Sequence, residues 1–483
     1  MTRPALVVHG HFYQPPRLDP FTGTMPLDPT AAPAHDWNER ISADCYRPNA
    51  EIGNLGAMSW DLGPTLAGWL ERGDAVAYRG FVDGDAGRNG MAQPFHHAIL
   101  PLSTSADRRT EIRWGLRDFE VRFGRRPAGM WLPETAVDLA TLRLLADDGV
   151  TYTILAPWQV DGGWLLDTRR PVRIDLGDGR SIVAVLYDAP LSTSVSFEPQ
   201  ETADADAFVR ERVVPRLAAP VLDDGPPPLV VIATDGELYG HHQPFREHFL
   251  ARLIGRTAPP DRPYATPSLD RAVAEAEASP TGLATVALLE LTSWSCHHGT
   301  LRWSGGCGCV ERGDWKSPLR AVLDRLAGGI DAATDQLAAA LPGAPDPWAA
   351  RDAYVDVVIG AQPIASFTDA WLAPAADADD RRVWQSLMEA QRWRLAMYAS
   401  CAWFWEVPER IETAGALRAA VRAARLVDEL ASTDLDRRLV DDLALIDRAG
   451  GAGVDLLQMA LAAVGAPMRE PGNPSARGLR ATG

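Results

Sequence analysis

The chain has 483 residues, 46% hydrophobic and 23% charged, a length that suits a barrel-sized core plus a second domain and a composition that is globular rather than disordered. Its formal net charge of −17 argues against a phosphate backbone or an anionic membrane as partner, because both require clustered Lys and Arg. No nucleic-acid or membrane partner is therefore expected, and a neutral substrate fits better.

The chain opens on Ala5 to Val8, the first of several short apolar runs that read as strands, followed by Ala75 to Tyr78, Gly129 to Leu132, Tyr152 to Leu155, Ile182 to Leu186 and Leu229 to Ala233. The four-residue apolar stretch at Ala5 is too short for a secretion signal, and no run approaches the ~20 apolar residues of a membrane span, so a cytoplasmic protein is expected. Between the strands, Asp107 to Phe123 places Ile112, Leu116, Phe119 and Phe123 on one helical face. Alternation of strands and helices over residues 1–285 predicts βα units closing into a barrel. The run at Leu229 lacks polar alternation, as a strand buried on both faces should.

Residues 286–316 form a Cys- and Trp-rich loop, after which only helical patterns remain. Ser317-Pro318 starts a helix with Leu319, Val322, Leu323, Leu326, Ile330 and Leu337 at helical spacing, and further helices are predicted over 347–360, 379–400, 413–427 and 433–447. A helical C-terminal domain is thus expected over 317–465, with a Pro-, Gly-, Arg- and Ser-rich flexible tail over 466–483.

In parallel α/β barrels the chemistry sits after the C-terminal ends of strands. Four such places carry polar residues: His9 to Pro16, Gln93 to His97, Trp131 to Glu134, and Thr234 to His242. Glu134 and Asp235 would rise from different strands. Two carboxylates at one mouth can divide the work of a glycosidase, one attacking or activating water and the other protonating the departing oxygen; a carboxylate after a strand can also simply cap the next helix.

The segments in this order resemble glycoside hydrolase family 57. Met130-Trp131-Leu132-Pro133-Glu134 is similar to the family's nucleophile motif and Asp235-Gly236-Glu237-Leu238-Tyr239-Gly240 to its acid/base motif, with Ser59 to Leu66 and Phe95 to Leu102 as supporting stretches. The resemblance implies a (β/α)7 barrel with a helical C-terminal domain of no assigned role. It also implies a retaining enzyme acting on α-glucan, of amylase, 4-α-glucanotransferase or branching type, that needs no cofactor for catalysis. On this reading Glu134 is the nucleophile and Asp235 the acid/base, while His11, Gln14, His97, Trp131, Glu237, His241, Trp294, Trp303 and Trp403 are expected to bind or line the sugar. Where the family has His-Gln-Pro, this chain has Tyr13-Gln14-Pro15, so Tyr13 joins that set. The alternatives are a non-catalytic glucan-binding homologue and a metal-dependent polysaccharide deacetylase, for which no His-x-x-x-His pair follows an early Asp.

Cys296, Cys307 and Cys309, with His298 beside them, give a thiol and imidazole density that suits zinc or an iron–sulfur centre. Reduced structural thiols or a redox-switchable disulfide are the other readings.

Overall fold

A computed structural model describes residues 3–177, 179–220, 227–257, 262–431, 433–448 and 453–465; the expected tail over 466–483 lies outside the described residues. The chain divides into two compact units. The first comprises residues 1–14, 27–95 and 119–299, and the second comprises 15–26, 96–118 and 300–483.

The first unit is built on seven parallel staves. β1 (Ala5–Phe12) is flanked by β2 (Ser59–Leu62) and β7 (Leu229–Asp235), and β3 (Gly90–Met91) continues beyond β2. Parallel bridges Ala92↔Met130 and Gly129↔Tyr152 carry the wall through residues 129–130 to β4 (Tyr152–Leu155), which pairs with β6 (Ser181–Leu186). Asp188, just past β6, donates its backbone N–H to the Val231 carbonyl of β7 at 2.7 Å and closes the circuit. The short strands β5 (Val172–Asp175) and β8 (Thr285–Val286) extend the β6 side. The fold is thus a (β/α)7-type barrel, as the alternation of strands and helices predicts.

Burial on both faces explains why these strands read as unbroken apolar runs. Ala5 and Val7 of β1 join Val231 and Ala233 of β7 and Ile154 of β4 in one core, while Leu6, Val8 and Phe12 join Trp60 and Ile232 in another, as successive side chains of a barrel stave must.

One predicted strand is corrected. Ala75 to Tyr78 opens a helix, Ala75–Gly84, because the Asp74 carboxylate accepts hydrogen bonds from the Val76 and Ala77 N–H groups and so caps it. The second stave is Ser59–Leu62, whose Asp61 interrupts the apolar pattern.

The second unit is helical. Its main helices are Lys316–Ala340, Ala378–Ala396, Ile411–Asp428, Leu435–Arg448 and Gly453–Val464. Residues 96–118 belong to it because Asp107 receives Arg351 and Arg394, at 2.9 and 2.7 Å, and the Trp114 indole donates to the Arg351 carbonyl at 2.9 Å. No described helix is long and apolar enough to cross a membrane.

Candidate active site

Strand register assembles the centre. His11 of β1 pairs with Asp61 of β2 on one side and with Asp235 of β7 on the other, so three polar residues share one level at the C-terminal end of the first unit's barrel. In parallel strands such partners point to the same face. Asp61 is fully buried; its Oδ1 lies 3.0 Å from His9 Nε2, its Oδ2 lies 2.9 Å from His11 Nδ1, and Gln93 Nε2 donates to the same Oδ2.

The electrostatics follow from these contacts. Burial pulls the His11 imidazole down, but the Asp61 charge and hydrogen bond, with Asp235 and Glu237 adding to them, raise it to about 9. Burial works against ionised Asp61 too, yet His11 and His9 bring it down to about 2. His9 goes the other way: burial outweighs its bond to Asp61 and lowers it. The result is one imidazolium, His11, held among carboxylates.

Glu134 follows the stave at 129–130 through the turn Pro133–Thr135. Its backbone is left-handed, with φ 57° and ψ 20°, and Thr135 follows with φ 46°. A non-glycine pair in this region carries strain of about 1–3 kcal/mol per residue, so something must hold it. Trp294 N–H donates to the Glu134 carbonyl at 3.0 Å, while Gln159 donates to the Thr135 carbonyl at 2.7 Å and accepts from its hydroxyl at 2.8 Å. The Glu134 side chain is fixed as well, since its Oε2 accepts from Ser295 Oγ at 2.6 Å and Trp294 Nε1 at 3.3 Å. Burial raises the Glu134 carboxyl and the Asp235 charge adds to the rise, while Ser295, His11 and Trp294 favour the ionised form.

Asp235 closes β7 and is exposed, and among the described residues its carboxylate makes no hydrogen bond. Gly236 is required after it, because a Cβ there would lie 2.4 Å from the Phe12 ring. Glu237 turns inward: Tyr46 donates to its Oε1 at 2.6 Å and Gln14 at 3.3 Å. Burial, with Asp235 adding and Tyr46 opposing, pushes Glu237 up to about 7.

The structure therefore brings Glu134, His11, Gln14, Glu237 and Trp294 together, and Asp235 joins them by register and charge. The Tyr13 ring stacks on His11 at 6.2 Å, which places the residue that replaces the family's histidine beside the imidazolium. His241 Nδ1 instead lies 3.0 Å from Asp44 Oδ2, with its ring edge-on to Trp37. Three tryptophans expected to stack on sugar need correction. Trp131 is fully buried beneath the His9 and His11 rings, at 5.0 and 5.1 Å, and supports the imidazoles instead. Trp303 and Trp403 are fully buried; the Trp403 indole donates to the Lys316 carbonyl at 3.2 Å within the second unit, so neither ring has an open face. His97 is also in the second unit, its Nδ1 2.7 Å from Ser400 Oγ. The sequence assigned no site role to Asp61, His9, Gln93, Tyr46 or Ser295, although His9 and Gln93 open two of the four polar stretches and Asp61 lies in a supporting one.

Within the first unit, Cys296 Sγ lies 3.9 Å from His298 Nδ1; Cys307 and Cys309 belong to the second unit. Cys296, Cys307 and Cys309 form no disulfide.

Residues 91–257, which carry Glu134, Asp235 and Glu237, match the profile of Glycosyl hydrolase family 57. This part of the barrel is a glycosyl hydrolase family 57 domain. Residues 312–447 match a Domain of unknown function (DUF3536), so the family 57 domain is followed by a helical module of unassigned role. Among solved structures, an exo-type maltose-forming amylase from Pyrococcus sp. ST04 is 15% identical, with TM-score 0.71 over 94% of this chain and 82% of that one. A family 57 branching enzyme from Thermococcus kodakaraensis is 18% identical, with TM-score 0.58 over 96% and 94% of the two chains. A 4-alpha-glucanotransferase from Thermococcus litoralis is 14% identical, with TM-score 0.54 over 89% of this chain and 60% of that one. No curated protein is detectably similar in sequence.

Proposed function

We propose that this family 57 protein cleaves or transfers α-glucan by double displacement, with Glu134 as nucleophile and Asp235 as acid/base. The observation that carries the reading is the pairing at the barrel mouth. Glu134 is oriented by Ser295 and Trp294, and Asp235 is exposed and acts electrostatically on Glu134. An oriented carboxylate suits attack at an anomeric carbon, while a solvent-facing carboxyl can give its proton to the leaving oxygen and recover one from water or from a sugar hydroxyl. The His11 imidazolium would offset negative charge gathered around the sugar. The structural neighbours, an amylase, a branching enzyme and a 4-alpha-glucanotransferase, support α-glucan as the substrate class.

Proton NMR of the first product formed from maltoheptaose tests the scheme. Double displacement retains the α anomer, and a first-formed β anomer would sink the assignment of Glu134 as nucleophile. Mass spectrometry of the same mixture separates hydrolysis, which gives only shorter chains, from transfer, which gives longer ones.

We further propose that Cys296, His298, Cys307 and Cys309 hold a zinc ion or an iron–sulfur centre. Three thiols and an imidazole, close together in the sequence between Cys296 and Cys309, form a soft donor set of the kind these metals select. The role would be structural, since neither Glu134 nor Asp235 is among the four.

A further inference from the structure

Beyond the catalytic pair, a run of aromatic rings leads away from Glu134 within the first unit. Trp294, whose indole N–H reaches Glu134, packs its edge against Tyr187 with ring centroids 6.3 Å apart. Tyr187 meets Trp158 edge-on at 6.0 Å, and Trp158 stacks on Trp164 at 5.5 Å with the planes 24° apart. Tyr187 directly follows β6, and Trp158 sits three residues past the end of β4. Both therefore lie at the strand ends that carry the chemistry, on adjacent staves.

Two features of this run are not explained by packing. The Tyr187 ring is packed, the residue being only 5% exposed, yet its hydroxyl makes no hydrogen bond to another described residue and is not sealed from solvent, so it is left for water or a ligand. At the far end, Trp164 is 67% exposed and its neighbour Leu165 is 92% exposed, on the short turn Gly163–Leu165. Trp158 is itself anchored, its indole donating to the Ser293 carbonyl at 2.9 Å, so the platform under Trp164 is fixed. An exposed indole backed by a fixed indole offers a flat apolar face, and an unpaired phenol offers a donor and an acceptor. Pyranose rings present the complementary surface, an apolar face of axial C–H groups rimmed by hydroxyls.

We propose that Tyr187, Trp158 and Trp164 continue the site from Trp294 as binding positions for the glucosyl units that lie beyond the bond being cleaved, with Trp164 stacking on the outermost. The proposal rests on the α-glucan reading given above and adds to it a preference for longer chains.

The experiment compares the wild type with Trp164→Ala and Tyr187→Phe, using Phe197→Ala as a control because Phe197 is 78% exposed and lies outside the run. For each variant, kcat/KM is measured on maltotriose and on maltoheptaose, and maltoheptaose binding is measured by calorimetry. Trp164→Ala should lower the heptaose-to-triose ratio by about threefold to tenfold, the size of one lost aromatic contact, and Tyr187→Phe should lower it by a similar factor for one lost hydrogen bond. Phe197→Ala should leave the ratio alone. Turnover of both substrates with the ratio unchanged in Trp164→Ala overturns the run while leaving the α-glucan reading in place. Heptaose binding that weakens in Trp164→Ala without any turnover supports the run and overturns the enzymatic reading. Absence of both turnover and binding overturns both.

Discussion

Replacing Asp61 by Asn keeps the shape of a fully buried side chain and removes the charge that His9, His11 and Gln93 share. The chief casualty should be the His11 cation. Its imidazole moves from an ordinary 6.5 to about 9 in the folded chain. At about 1.4 kcal/mol per tenfold change in proton affinity, that rise corresponds to about 3 kcal/mol of stabilisation. Because the folded value is the higher one, this contribution is fully present below pH 6.5 and fades as pH climbs through about 9. In the variant, burial pulls His11 down against only the weaker pull of the Asp235 and Glu237 charges, so most of the wild-type advantage disappears over the same window. Asp61, which His11 and His9 bring down to about 2, limits the effect only at strongly acid pH.

The assay is thermal unfolding followed by circular dichroism across pH 6 to 9.5, wild type against Asp61→Asn. For a unit of this size, about 3 kcal/mol amounts to a Tm difference of roughly 6–12 °C at pH 6, and the gap should narrow steadily above pH 6.5. A gap that stays constant across the range would refute the charge argument, leaving only a lost hydrogen-bond network. A gap that widens with pH would reverse the assigned sign.

Other outcomes follow from the same geometry. Glu134→Ala should abolish turnover on every substrate, whereas Asp235→Ala should retain activity on an aryl glycoside whose leaving group needs little protonation; equal loss on natural and activated substrates in Asp235→Ala would count against its role as acid. Glu237, raised from 4.5 to about 7, makes the folded chain bind an extra proton between those values and so lose about 3 kcal/mol of stability as pH rises through them; Glu237→Gln should flatten that decline in a Tm series. Gln159→Leu, which removes both hydrogen bonds to Thr135, should lower kcat more than it raises KM, because it loosens the turn that aims Glu134 and leaves the rest of the mouth intact; restoration by Gln159→Glu at low pH, where a protonated carboxyl can again donate and accept, would separate positioning from general loss of fold. Elemental analysis of protein purified without oxygen should find about one zinc site or iron–sulfur centre per chain, falling in Cys307→Ser, and metal-free protein of full activity and unchanged Tm would return the thiols to a purely packing role.

Much of the barrel was legible because its staves are buried on both faces, which writes them into the sequence as plain apolar runs such as Leu-Val-Val-Ile-Ala at Leu229. The second stave was not, for the reason that matters most to the site. Ser59-Trp60-Asp61-Leu62 is a strand with a buried carboxylate in it, and a polar residue in a four-residue strand erases the apolar signal. Ala75 to Tyr78 supplied a run of the right length, and only the Asp74 cap distinguishes it as a helix. The carboxylates Glu134 and Asp235 were readable from their positions after strands. What surrounds them was less so: Ser295 and Trp294 reach Glu134 from 161 and 160 residues away in sequence, and Tyr46 reaches Glu237 from 191, distances over which no spacing rule operates. Tryptophans misled where chemistry alone was the guide, since an indole beside histidines and cysteines looks the same in sequence whether it is open, like Trp164, or sealed, like Trp303 and Trp403.

The centre divides its carboxylates by environment. Asp61 is buried but saturated with donors, so it stays ionised and spends its charge on His11. Glu237 is buried with a phenol and an amide, two neutral donors, so burial wins and its proton is retained to about pH 7. Glu134 lies between these cases, raised by burial yet served by a hydroxyl, an indole N–H and the His11 charge. Asp235 faces solvent. A sugar entering this mouth would displace water from Asp235 and strip screening from all four at once, which strengthens each interaction just described. The imidazolium then becomes the decisive counter-charge: without His11 held protonated by Asp61, closing the site over Glu134, Asp235 and Glu237 would favour protonating Glu134, and the carboxylate could no longer serve in the nucleophilic role proposed for it.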